Sequence, residues 1–261
     1  MTRKYLAIPQ FDALPAPVYF RYDEFGADTH SAAHRHAWGQ LNYAAHGVMQ
    51  LEIGGQHFYS PPHYAVWIPP DTEHSCYNPQ AIVYRSVYLT RELCAALPAQ
   101  ACTLVISGIL KAILGDFASR DVHIPQDPAD QRLAQVLVDQ LQRAPMQTCY
   151  LPYAQSPGLL AVLQALHAEP GDNRALGEWA AQVHVSERTL ARQFVRELGI
   201  SFGEWRQRLR YLRAIEALEG SQSIQEIAFD LGYSTPSAFI AMFQRQARCT
   251  PEQYRRQARR A

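Results

Sequence analysis

Three histidines, His34, His36 and His74, together with Gln40, are the side chains whose spacing allows ion or ligand chemistry. His34-Arg35-His36 lies in a stretch with strand character. Alternate residues of a strand share one face, so both imidazoles are expected to point the same way, and Gln40 can join them. Imidazole nitrogens with an amide oxygen suit Zn, Ni, Fe or Mn. Gln is a neutral ligand, so it leaves the charge of a divalent ion uncompensated. The same residues also suit a pocket without metal, in which the imidazoles hydrogen-bond to one another, to Gln40 or to a small molecule. Trp38, Tyr43 and Trp67 lie nearby in sequence and are candidates for the pocket wall or for a core.

A second set of residues could read DNA. Residues 176–256 contain one helix-turn-helix pattern twice. Ala180 matches Ala228 and Val185 matches Tyr233; Leu190 matches Phe239, Phe194 matches Phe243, and Trp205 matches Tyr254. The offset changes by one residue in the turn, where an insertion is tolerated. Two such units predict two helices offered to major-groove surfaces. In the first unit Ser186 is placed to cap the recognition helix and Gly199 to end it. With Leu190, Phe194 and Leu198 inward, Arg188, Thr189, Arg192, Gln193 and Arg196 face out. Arg192 suits a bidentate contact to a guanine edge, and Arg188 or Arg196 suits phosphate. In the second unit Thr235 caps, Pro236 opens the helix, and the outward set is Ser237, Ile240, Ala241 and Gln244. That set offers short polar groups and a methyl, so it should read fewer bases than the first.

The C-terminal segment resembles the AraC/XylS family of bacterial transcription regulators over about its last 90 residues. The resemblance rests on Ile227-Ala228, Leu231-Gly232-Tyr233, Phe239, Phe243, Thr250-Pro251 and Tyr254-Arg255. It implies a sequence-specific DNA-binding regulator and gives Arg192 a role at bases. Ala241 stands where the family often has a basic residue, and Arg248 where it often has Gly. The N-terminal half resembles the two cupin motifs over residues 25–90. The first is His34, His36, Gln40 and Gly47, with Gln40 in place of Glu. The second is Pro69, Asp71, His74 and Asn78, with Asp71 in place of Gly. AraC-like regulators often carry such a barrel as their sensor, so the effector is expected to be a small molecule or a metal ion held there.

The surrounding sequence must position these residues. Met49–Ile53, Gly54-Gly55 and Gln56–Tyr59 read as a hairpin; Val66–Ile68 and Val83–Leu89 read as further strands. Leu104, Ile106, Ile109, Leu110, Ile113, Leu114 and Phe117 fit a buried helix. Asp127 and Pro128 open another, with the apolar stripe Leu133, Val136, Leu137, Val138 and Leu141. The family resemblance makes that helix, 127–143, a homodimer contact; the alternative is that its stripe packs on its own barrel. Pro145, Pro152 and Pro157 punctuate a linker, a helix opens at Ser156, and Ala165–Asn173 reads as a loop. The fold class expected is multidomain α and β: a cupin-like barrel over 1–95, a helical dimerisation segment over 96–145, a linker over 146–157, and an all-α paired helix-turn-helix domain over 158–261.

Net charge is zero but unevenly spread. Residues 174–261 hold fourteen arginines, no lysine and nine acids, a net +5; residues 1–173 hold ten basic and fifteen acidic residues, a net −5. That asymmetry fits one nucleic-acid domain and one sensor. Arg255, Arg256, Arg259 and Arg260 add a basic tail. Five scattered cysteines without CxxC spacing point to free thiols in a reducing compartment. No apolar run precedes Pro9 and no 18-residue apolar stretch occurs, so no leader and no membrane partner are expected, and the location expected is the cytoplasm. The rival class is a cupin metalloenzyme, such as a dioxygenase or isomerase, using His34, His36 and His74. Two recognition helices argue against it.

Overall fold

The computed structural model describes residues 4–6, 8, 11–147 and 150–258. The chain divides into two compact units, Met1–Tyr150 and Leu151–Ala261. Cys149, Arg259 and Arg260 lie outside the described residues.

The first unit is built from strands β1 (Lys4–Tyr5), β2 (Val18–Phe25), β3 (Thr29–His34), β4 (Gly39–His46), β5 (Met49–Ile53), β6 (Gln56–Ser60), β7 (Tyr64–Ile68), β8 (His74–Asn78), β9 (Ile82–Leu89), β10 (Cys102–Val105) and β11 (Met146–Gln147). They form two sheets, ordered β1-β3-β8-β5-β6 and β11-β10-β7-β4-β9-β2. The Gly54-Gly55 turn takes positive φ at both positions and joins β5 to β6 in register, Met49 opposite Ser60 and Ile53 opposite Gln56. Three helices follow or interrupt the strands: α1 (Arg91–Cys94), α2 (Gly108–Ser119) and α3 (Pro128–Gln142).

Strand alternation divides the apolar residues into two cores. Val66 and Ile68 of β7, Ala44 of β4 and Tyr84 of β9 meet Met49, Leu51 and Phe58 of the opposite sheet. Their neighbours Leu41, Tyr43, Trp67, Val87 and Leu89 face the other way, against Leu110, Leu114 and Phe117 of α2 and Leu137, Val138 and Leu141 of α3. The α3 stripe therefore packs on its own unit. Leu137 is fully buried, whereas Val136 is 42% exposed. Most of the stripe is thus spent on the chain's own core, and Val136 is the member of it that stays exposed on the outer side of α3. The start of α2 is also corrected. Leu104 lies in β10, whose backbone pairs with β7 and β11, and helix begins only after Ser107, whose hydroxyl accepts from Leu110 N. An apolar run alone does not separate a buried strand from a helix.

The second unit is helical: α4 (Pro157–Ala168), α5 (Leu176–Gln182), α6 (Glu187–Gln193), α7 (Phe202–Leu218), α8 (Ile224–Asp230), α9 (Pro236–Ala247) and α10 (Pro251–Ala258). A π-helical turn, Phe194–Leu198, continues α6. The supposed loop at Ala165 is helix as far as Ala168, with Leu166 fully buried. The supposed linker is largely built into the fold. Met146–Gln147 pairs with β10, and the Trp205 indole donates to Pro152 O at 2.8 Å.

Candidate metal centre and nucleic-acid interface

His34 ends β3 opposite His74 at the start of β8, after a register shift following Ser31. His36 lies beyond the strand, so the pair is not simply two alternate residues of one strand as expected. The turn brings it in: Asp71 N donates to His36 O at 2.8 Å, linking the two histidine-bearing loops. Asp71 takes φ +60°, the left-handed conformation that suits a glycine there, and its carboxylate pairs with Arg91. Ring centroids are 4.2 Å apart for His34–His74, 5.0 Å for His36–His74 and 5.9 Å for His34–His36. One ring nitrogen from each lies within 4.8 Å of the others.

Each imidazole is oriented in the same way. Nδ1 of His34 meets Ala32 O at 2.8 Å, Nδ1 of His36 meets Trp38 O at 2.8 Å, and Nδ1 of His74 meets Thr72 O at 2.9 Å. A carbonyl at Nδ1 requires the proton there, which leaves Nε2 as a bare lone pair in the neutral ring. His74 Nε2 is buried with no hydrogen-bond partner among the described residues. His36 Nε2 lies 2.8 Å from Gln40 Oε1. The Gln40 amide nitrogen is directed elsewhere, to Asn42 Oδ1 at 2.9 Å and the Tyr84 hydroxyl at 3.0 Å, so its oxygen is the atom facing His36. Two acceptors at that distance repel unless a cation or proton lies between them. Burial opposes the proton: it lowers the His36 pKa and pushes that of His74 down to about 3. Three neutral Nε2 atoms and an amide oxygen are a donor set that fits a divalent transition ion.

Of the aromatic residues expected at the pocket wall, only Trp38 reaches the histidines. Its ring stacks on His36 at 4.6 Å with 4° between planes. Tyr43 and Trp67 belong to the core on the opposite face of the sheet, and the Trp67 indole donates to Pro98 O. They are corrected from wall to core, because odd-numbered residues of β4 and β7 point away from Gln40. The wall is formed instead by residues that sequence spacing did not connect to the histidines: Arg21, Asn42, Cys76, Tyr84 and Tyr88. Gln40, Asn42, Tyr84 and Tyr88 have the even-position parity of adjacent strands, a signal readable only once the pairing of β4 with β9 is known.

In the second unit the Ser186 hydroxyl accepts from Thr189 N and caps α6, and Gly199 ends the π-helical turn at φ +71°. Leu190 and Phe194 are fully buried. Arg188, Thr189, Arg192 and Arg196 are exposed and Gln193 is half-buried. These five line one open groove with Ala191 and Val195. Thr189 Oγ1 is already 2.8 Å from Ser186 Oγ, which leaves the arginines and Gln193 as the reach of this face. In α9 the Thr235 hydroxyl accepts from Ala238 N, Phe239 and Phe243 are buried, and Ser237, Ala241 and Gln244 are exposed. Two exposed residues were missed. Val195, 59% exposed, adds an apolar patch beside the α6 arginines, and Arg245 adds the side chain one turn beyond Ala241. The arginines of α7 are occupied within the unit: Arg210 is buried and bonds to Pro170 O, Asp172 O and Asn173 Oδ1, and Arg206 bonds to Arg174 O.

Comparison with known proteins gives both units a family. Residues 179–257 match the family described as a helix-turn-helix domain, and residues 17–147 match the AraC-like ligand binding domain. The HTH-type transcriptional regulator NimR of Escherichia coli K12 is 35% identical over 232 residues, covering 86% of this chain and 82% of that protein. The C-terminal domain of AraT, a response regulator from Geobacillus stearothermophilus, is 32% identical over 39% of this chain and 86% of its own, with a TM-score of 0.38. ToxT from Vibrio cholerae covers 92% of this chain and 98% of its own at 9% identity and a TM-score of 0.39. With a sensor domain over half its length and a full-length relative of this identity, the chain belongs to the AraC-type helix-turn-helix transcription regulators.

Proposed function

We propose that this regulator senses through a metal centre in its barrel, with His34, His36, His74 and Gln40 as the ligands. The observation that carries the reading is the common orientation of the three rings. Each Nδ1 is held by the carbonyl two residues earlier or later in the chain, one ring nitrogen of each histidine lies within 4.8 Å of the others, and Gln40 Oε1 lies 2.8 Å from His36 Nε2. When bound, the ion supplies a Lewis-acidic coordination position for an effector, or is itself the effector. Zn, Ni, Fe and Mn all suit the donor set. The enzyme reading has no support beyond the same histidines.

On the DNA side, α6 enters a major groove with Arg192 at bases and Arg188 and Arg196 at phosphates, while Gln193 and Val195 complete the face. Helix α9 contributes less base reading, through Ser237, Gln244 and Arg245, with Thr235 at its start. The protein acts in the cytoplasm as a homodimer. The surface of α3 left for a partner is its outer side around Val136, beside Arg132 and Gln135, which are also exposed.

The test is elemental analysis of the purified full chain together with operator binding measured by fluorescence anisotropy, before and after chelation. Near-stoichiometric transition metal, lost in His74→Ala, and DNA affinity that changes on chelation are expected. Metal-free protein that cannot be loaded with Zn, Ni, Fe or Mn would overturn the metal centre and leave a plain ligand pocket.

A further inference from the structure

The cavity beside the three histidines has an unusual charge balance. Its lining, which includes Arg21, Gln40, Asn42, Tyr84 and Tyr88 beside His34 and His74, contains one arginine and no acidic residue. Arg21 pairs with Asp23 through Nε at 2.7 Å, so that pair is neutral and contributes nothing to balance an ion. Its Nη1 turns to the Tyr88 hydroxyl at 3.5 Å, and the guanidinium lies over the Tyr84 ring at 5.6 Å. A divalent ion on three neutral imidazoles and a neutral amide would keep its full charge in a half-buried site, where an uncompensated charge costs more than in water.

The polar groups around the cavity are biased the same way. Asn42 is 3% exposed. Its Oδ1 accepts from Gln40 Nε2 and from the Tyr84 hydroxyl, and its Nδ2 has no partner among the described residues. A buried, unpartnered amide donor costs free energy until an acceptor arrives. Asn42 Nδ2, with the Arg21 guanidinium on the same cavity wall, thus presents a donor at a position that wants negative charge. The cavity volume of about 30 Å³ leaves room for roughly two waters, on a scale where one needs about 10–15 Å³. A planar carboxylate head fits that space better than a tetrahedral phosphate.

We infer that the effector carries a carboxylate, which enters this cavity to ligate the metal centre and to accept hydrogen bonds from Asn42 and Arg21. The inference rests on the metal-centre reading above. It also gives the Glu-to-Gln departure at position 40 a physical role: the negative ligand that a glutamate would supply permanently is left for the effector to bring.

The experiment uses full-length protein loaded with Co2+, whose visible absorption reports coordination. Metal content is measured first. The protein is then titrated with acetate and, separately, with acetamide, its neutral counterpart of nearly the same shape. A saturable spectral change is expected with acetate and not with acetamide. Arg21→Met is expected to weaken the acetate response by about tenfold or more, the scale of a lost charge-assisted hydrogen bond. Gln40→Glu, which supplies the missing charge and whose folding is checked by circular dichroism, is expected to bind Co2+ at least as tightly and to weaken acetate by a similar factor. A chain that takes up no Co2+ defeats the metal reading and this inference with it. A loaded chain whose spectrum ignores acetate, answers acetamide equally, or responds to acetate unchanged in Gln40→Glu defeats the carboxylate inference alone.

Discussion

Gly199 and Arg248 stand 49 residues apart at the same point of the two repeated units, each directly after its recognition helix, and both take a left-handed backbone, φ +71° and +59°. The turns inside the units show the reverse assignment: His184 takes φ +58° in the first and Gly232 φ +78° in the second. Each unit thus holds one glycine and one strained side chain at the two equivalent positions. The second glycine is fixed by more than φ, because a Cβ at Gly232 would lie 2.2 Å from Gly171 O.

Arg248→Gly should therefore stabilise the helical unit by about 1 kcal/mol, the cost of a left-handed non-glycine residue. Gly232→Ala should destabilise it by more than that, since strain and a backbone clash add. Thermal melts of the two variants measure both; equal melting temperatures would remove the strain argument.

DNA reading is expected to divide unequally between the units. Arg192→Ala should cost about 1–3 kcal/mol on the specific site, the value of a bidentate base contact, and should relax specificity at one position. Arg188→Ala should weaken all sequences alike and lower the salt dependence, because a phosphate contact releases counterions. Ala241→Ser should change base discrimination little. Anisotropy titrations at several salt concentrations on a selected site check all three; a larger specificity loss from α9 than from α6 would reverse the assignment.

The two faces of α3 predict opposite outcomes. Leu137 is fully buried in its own unit, so Leu137→Asp should unfold that unit, a buried uncompensated carboxylate costing several kcal/mol. Val136→Asp leaves the core intact and should shift a dimer toward monomer. Sedimentation and melting of both variants separate the cases. A folded Leu137→Asp protein would contradict the packing, and an unchanged dimer in Val136→Asp would place the contact elsewhere.

The histidines also set a pH dependence in the metal-free chain. Burial lowers the His36 pKa and takes that of His74 down to about 3. Below the unfolded value near 6.5 the unfolded chain binds protons that the folded one refuses, so unfolding free energy falls as pH drops. The slope approaches about 1.4 kcal/mol per pH unit for His74, His36 adds in the same direction, and stability is flat with respect to both above pH 7. Urea midpoints at pH 7.5, 6.0 and 5.0 should fall in that order, and His74→Leu should flatten part of the trend. Equal midpoints across the series would mean that the rings are not buried as neutral bases.

What sequence alone determined is local chemistry with a short repeat. The duplicated Ala, turn and paired aromatic positions specified both helix-turn-helix units, their caps at Ser186 and Thr235 and the glycine stop at Gly199, because helix periodicity and capping act within a few residues. The same holds for the β5–β6 hairpin and for the histidine set, whose members occupy motif positions. Tertiary structure decided everything that depends on which face meets which. Leu104 is strand because β10 finds β7 and β11, a pairing some forty residues distant in each direction. Leu137 is core because α3 lies on the outer face of the six-stranded sheet. Tyr43 and Trp67 leave the pocket, and Arg21, Asn42 and Tyr88 enter it, because the register of β4 with β7 and β9 assigns each residue a side. A one-residue change in that register would exchange the two sets, and nothing local in the chain distinguishes them.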